Sequence, residues 1–90
     1  MVGAPKEKVL FKALGDETRF NIVSALLDGE KCACVIPDLV HRAQPTVSLQ
    51  LKYLVKTGIL SSRRDGKKVL YKIKDKRISK VINLSRKGGE

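Results

Sequence analysis

The chain has 90 residues and a mass of 10.0 kDa, room for a single domain spanning residues 1–90 with one small core. Its 42 % hydrophobic content excludes an intrinsically disordered chain, and its apolar runs of a few residues are too short for a membrane-crossing helix. Lysine and arginine number 19 against 9 acidic residues, a net charge of +10. Residues 1–45 carry six charges of each sign, whereas residues 46–90 carry thirteen basic and three acidic residues, so the whole excess lies in the second half. Such a one-sided field suits a polyanion, most often nucleic acid; the plainer alternative is a basic, solvated surface. The early lysines are not followed by an apolar segment of the secretory kind, and two cysteines, too few to staple the fold, make a reducing, cytoplasmic setting the expected one.

Pro5 is placed to open a first helix, in which Val9, Leu10, Ala13 and Leu14 recur at helical spacing until Gly15 breaks the run. Asp16 reads as the N-cap of a second helix through Leu27, with Phe20, Val23, Leu26 and Leu27 facing inward and Gly29 ending it. A short third helix falls within residues 32–42. Pro37 is tolerated only in a first turn, so regular helix should begin near Val35 or Ile36. Ala43-Gln44-Pro45 is a turn, and Pro45 opens a fourth helix that runs to Thr57 and stops at Gly58. Ile59–Arg64 and Lys67–Ile73 read as two strands joined at Asp65-Gly66, a strong hairpin signal. Lys76–Arg86 returns to helix with Ile78, Val81, Ile82 and Ser85 on one side, and only the first few residues and Gly88-Gly89-Glu90 read as loose.

The expected fold is therefore mostly α with a small β-hairpin: a helix-turn-helix followed by a basic wing. On the fourth helix Val47, Leu51, Leu54 and Val55 make a core stripe. Thr46, Leu49, Lys52, Tyr53 and Lys56 lie opposite, with Ser48 and Gln50 on the flanks. Hydroxyl and amide side chains can bond base edges or phosphates, and an outward leucine can meet a thymine methyl. Arg63, Arg64, Lys67 and Lys68 surround the hairpin tip, where cations suit phosphates or a minor groove. Taken singly, the helix could be an ordinary amphipathic surface helix and the lysines an edge protected from aggregation; their succession favours double-stranded DNA as the partner.

Three stretches resemble a known family. Ala13-Leu14-Gly15-Asp16-Glu17-Thr18-Arg19-Phe20-Asn21-Ile22-Val23 resembles the second-helix signature of ArsR/SmtB-type winged-helix repressors. Gln44-Pro45-Thr46-Val47-Ser48, with Leu51-Lys52-Tyr53-Leu54 and Gly58-Ile59-Leu60, is similar to their recognition helix, and Arg64-Asp65-Gly66-Lys67 with Tyr71 to their wing. The resemblance covers about residues 8–85. It implies a homodimer formed by the first and last helices, here through Val9, Leu10, Ile78, Val81 and Ile82, and repression of a two-fold operator released by a metal ion or metalloid. It implies DNA contacts from Gln44, Thr46, Ser48, Leu49, Gln50, Lys52, Tyr53 and the four wing cations. Ser48 matches the family's usual serine; Leu49 and Gln50 stand where many members have other residues, which bears on the operator sequence.

Cys32-Ala33-Cys34 resembles the family's Cys-x-Cys inducer motif at the start of the third helix. Thiolates are soft ligands, suited to arsenite, antimonite, cadmium or zinc. Arsenite-type sites in the family use three sulfurs, and Pro37 occupies the expected third place, so a third ligand must be Asp38, His41, a partner-chain group or an external thiol. The last helix offers Asp75 and no histidine, so the family's other metal site is not expected. Two cysteines one residue apart form a strained disulfide and cannot staple a fold, which suits a reducing compartment. The alternatives for this pair are a thiol-redox input, two small buried hydrophobes without any small-molecule input, or, at the level of the whole protein, a non-specific basic nucleic-acid binder. No catalytic nucleophile–histidine pair or phosphate-binding glycine loop supports an enzyme.

Overall fold

The computed structural model describes residues 5–88. Eight elements follow one another: α1 (Glu7–Leu14), α2 (Glu17–Ala25), β1 (Lys31–Cys32), α3 (Ile36–Val40), α4 (Gln44–Lys56), β2 (Leu60–Asp65), β3 (Lys68–Ile73) and α5 (Arg77–Gly88). Pro5 lies ahead of α1, whose N-cap is Lys6. Asp16 caps α2 as its side chain accepts a hydrogen bond from the Arg19 N–H at 3.0 Å. That helix closes at Ala25 rather than Leu27, because the Leu26 and Leu27 amides turn back to Val23 and Ser24 in a tighter final turn.

The third helix is shorter than the segment expected to contain it. It spans Ile36–Val40, with Pro37 in its first turn. His41 caps it in the left-handed conformation (φ 57°), and the chain reaches α4 through Arg42 and Ala43. At the far end of α4, Gly58 (φ 87°) donates to the Val55 carbonyl at 3.1 Å and Ile59 to Leu54 at 3.0 Å. This paired C-terminal lock requires a residue tolerant of positive φ. The chain leaves it aimed into β2.

The hairpin is joined by a third strand that the periodicity did not reveal. The sheet order is β1-β3-β2, all antiparallel. Lys31 and Cys32 pair with Tyr71 and Leu70, and the Ala33 amide extends the ladder to the Val69 carbonyl at 2.8 Å. The wing turn has Gly66 (φ 64°) and Lys67 at its centre, between paired Asp65 and Lys68. Glycine is needed there because the first central residue of such a two-residue turn has positive φ.

One buried cluster unites the elements: Leu10 and Ala13 of α1, Ile22 and Val23 of α2, Ile36 and Val40 of α3, Val47, Leu51 and Leu54 of α4, Ile59 and Leu60, and Ile78 and Ile82 of α5. Leu10, Ile78 and Ile82 are among the residues that the family resemblance assigns to a dimer interface. Their exposure is 2 % or less within the single chain, so the protomer itself covers them. Periodicity identified these faces as apolar, but the covering surface is the chain's own. Val9 is 37 % exposed and Val81 half-buried, and the more exposed apolar side chains of the two helices are Phe11 and Leu84.

Asp75 ties the two ends of the chain together. Its buried carboxylate accepts from the Arg77 amide (3.0 Å), Nε (3.0 Å) and Nη2 (2.7 Å), and the same Arg77 Nη2 donates to the Pro5 carbonyl at the entry to α1. The Arg77 guanidinium holds the Asp75 carboxyl below its ordinary range. Because the folded value is the lower one, this contribution is complete above about pH 4 and is lost as pH falls through the folded value. Asp75→Asn should cost about 1–2 kcal/mol at neutral pH, the lower end reflecting the solvent reached by Arg77. It should also flatten the acid limb of a stability-against-pH curve measured by denaturant unfolding. An unchanged acid limb would assign that pH dependence to other carboxylates.

Candidate nucleic-acid interface

Burial of Val47, Leu51 and Leu54 fixes the rotation of α4 and decides which of its side chains are outward. Gln44, Thr46, Ser48, Leu49 (65 % exposed) and Lys52 are on the surface. Ser48 and Lys52, one turn apart, border a cleft shared with the wing. Gln50 and Tyr53 lie on the other flank and are half-buried. Arg19 of α2 stacks over the Tyr53 ring, 4.3 Å from its centroid, so Tyr53 is engaged in packing α4 against α2. Ala43 supplies no side-chain cap, which leaves the start of α4 open to a phosphate on its exposed end.

The wing cations divide between two faces. Alternation along a strand places Arg64, Val69 and Tyr71 on one face, and Arg63, Leu70 and Lys72 on the other. Val69 and Tyr71 line the cleft against α4, with Lys67 and Lys68 at its rim. Arg63 instead makes a two-pronged pair with Glu30, Nε to Oε2 at 2.9 Å and Nη2 to Oε1 at 2.8 Å. Each partner stabilises the other's charge, lowering the Glu30 carboxyl and raising the Arg63 guanidinium. Glu30 is 33 residues away in sequence, and β1 brings it beside the wing.

The cleft between α4 and the sheet measures about 510 Å³ and is also lined by Cys32, Ala33, Cys34 and Pro37. Cys32 ends β1 and Cys34 lies in the following turn, so the pair precedes α3 rather than starting it. The two sulfurs are bonded to each other, with Cα atoms 5.2 Å apart. This corrects the expectation of two unpaired thiols: the turn after β1 folds back far enough for Cys34 N–H to approach Cys32 Sγ at 3.2 Å. Among the described residues no group of three histidine, cysteine or carboxylate side chains is poised around one ion. The donor set is soft enough for a metalloid or thiophilic metal but supplies two sulfurs, so it does not fit a three-sulfur site within one chain. His41 belongs to the helix-turn-helix turn as the left-handed cap of α3.

A short helix, a three-residue turn, a helix with an outward polar face and a β-hairpin wing beside it define a winged helix-turn-helix. Residues 16–62 match the model of the family described as "Bacterial regulatory protein, arsR family", and the chain belongs to this family of DNA-binding transcriptional regulators. It is 40 % identical over 80 residues to a protein of Methanocaldococcus jannaschii described as an uncharacterized HTH-type transcriptional regulator, covering 88 % of this chain and 90 % of that one. It is 38 % identical to a probable mercury resistance operon repressor of Streptomyces lividans, covering 84 % of this chain and 61 % of the relative. Among solved structures, reduced HlyU from Vibrio cholerae superposes with a TM-score of 0.82 at 26 % identity, covering 89 % of this chain and 84 % of the other. Among the described residues no helix is long and apolar enough to cross a membrane.

Proposed function

We propose that this chain is a cytoplasmic, homodimeric, single-domain repressor that reads its operator with α4, grips the backbone with the wing, and has no enzymatic activity. The observation that carries this reading is the shared cleft: the outward face of α4 and the Arg64 face of the wing border the same concavity, and Lys52, Lys67 and Lys68 line it. Ser48, Leu49 and Lys52 are the side chains best placed to meet bases and their flanking phosphates, with Gln44 and Thr46 at the exposed start of the helix. Gln50 and Tyr53 act at the edge of this surface, and Arg63 shapes the wing through Glu30.

Cys32 and Cys34 are the input. When reduced they offer two thiolates to a soft metal ion or metalloid such as arsenite, antimonite, cadmium or zinc. An ion satisfied by two sulfurs suits the pair within one protomer, and one that needs three must take the third from a partner chain or an external thiol. The second reading is a thiol-redox input, favoured by the bonded state of the pair.

The DNA reading is tested by fluorescence anisotropy on duplex DNA across a salt series. Arg64→Ala should weaken binding to all sequences and reduce the magnitude of the log–log salt slope by about one per protomer. Arg63→Ala should change the slope less, because Glu30 already neutralises that charge. Ser48→Ala should cost about 1–3 kcal/mol on the operator and less on random DNA. Equal slopes for the two arginine variants would contradict the two-faced wing.

Assembly separates core from interface. Phe11 (58 % exposed) and Leu84 (71 % exposed) are large apolar side chains left uncovered on α1 and α5, and a second copy is the partner proposed to cover them. Sedimentation should show a dimeric wild type, a folded monomer for Leu84→Asp, and loss of folding for Ile82→Asp, whose carboxylate would be buried in the protomer. A Leu84→Asp protein that sediments as the wild type would place the interface elsewhere.

A further inference from the structure

We propose that the cleft between α4 and the wing is a covalent docking site for an anionic low-molecular-weight thiol, which becomes disulfide-linked to Cys34 and excludes DNA. The inference deepens the regulatory reading above and rests on its assignment of the α4–wing cleft to DNA.

Three observations converge on it. First, Cys32 and Cys34, bonded to each other, are both among the residues lining a cavity of about 510 Å³, large enough for a small peptide-like thiol. Second, the other walls have complementary character: Val69 and Tyr71 supply apolar surface, while Lys52, Lys67 and Lys68 supply cations from two different elements. Carboxylates attached to an incoming thiol would find partners there. Third, the two sulfurs are not equivalent. Cys34 is exposed and Cys32 half-buried, and the Cys34 N–H points to Cys32 Sγ at 3.2 Å.

That asymmetry sets the direction of exchange. The incoming thiol gives its proton to water, and its thiolate attacks Cys34 Sγ. A new S–S bond forms to Cys34 as the Cys32–Cys34 bond breaks, and Cys32 leaves with the electron pair as a thiolate. The backbone N–H stabilises that thiolate, making it a better leaving group and a weaker nucleophile for the return reaction. The disulfide is the only oxidised species consumed, and the net step is neutral in electrons. The adduct then occupies the space between Ser48 and Lys52 on one side and Lys67 and Lys68 on the other, and its carboxylates neutralise cations that phosphate would otherwise meet.

The test uses glutathione, which carries two carboxylates, against cysteamine, which carries none. The oxidised full chain is incubated with each thiol, trapped by alkylation, mapped by mass spectrometry and assayed for duplex DNA binding. Glutathione should add once, on Cys34, and more extensively than cysteamine. Lys67→Ala/Lys68→Ala should erase that preference. Cys32→Ser treated with oxidised glutathione should give a stable Cys34 adduct that binds DNA about tenfold or more weakly than the same variant before treatment. Cys34→Ser should give no adduct that alters binding. The proposal is overturned by an adduct mapped to Cys32, by equal labelling with both thiols, or by a Cys34 adduct that binds DNA as tightly as the untreated variant. Failure of the untreated, reduced protein to bind any duplex would instead overturn the DNA assignment on which the proposal rests.

Discussion

The rotation of α4 about its own axis is the constraint on which the rest depends. Val47, Leu51 and Leu54 recur at helical spacing and are each 2 % exposed or less, held between α2, α3 and the start of β2. Once this stripe is buried, Ser48, Leu49 and Lys52 have no inward alternative. The Gly58 lock then delivers the chain directly into Leu60, itself part of the core. The position of the wing relative to the helix is therefore set by core packing at the base of β2, and the face proposed for DNA is a by-product of the same buried contacts that stabilise the fold.

A second dependence runs through β3, the central strand. It pairs with β2 to make the wing and with β1 to hold the segment that carries the cysteines. Cys32 is opposite Leu70, and Leu70 is opposite Arg63, so sulfur, wing and the Glu30–Arg63 ion pair share one ladder. Ala33 and Cys34, in the turn just beyond this ladder, are themselves among the residues lining the cleft, so a chemical event at Cys34 has no distance to travel. It occurs in a wall of the cleft proposed to meet DNA, where steric and electrostatic competition would suffice and no long-range conformational relay would be required.

The parts of this arrangement legible in the sequence are those fixed by local chemistry. The Asp16 cap, Pro37 confined to a first turn, the Gly58 stop and the Asp65-Gly66 hairpin all depend on residues a few positions apart, and each is found where expected within a residue or two. The core stripe of α4 was legible for the same reason. Features made by residues far apart were not. A two-residue strand has too few positions to show alternation, so β1 was hidden within a segment read as loop and helix. The Arg63–Glu30 pair spans 33 positions and therefore made Arg63 look equivalent to Arg64. Leu10, Ile78 and Ile82 had the apolar spacing of a covered face, but spacing does not distinguish cover by the same chain from cover by a second one.

DNA is proposed to meet the face shared by the outward side of α4 and the Arg64 side of the wing. Backbone amide shift perturbation by NMR on adding a duplex reads every segment at once and so locates the contact surface. The largest changes should fall on Gln44–Lys52 and on Arg64–Val69, with small changes at Glu30, Lys72 and along α5. Perturbations centred on α1 and α5, or on the Glu30 and Lys72 face of the sheet with α4 unaffected, would contradict it.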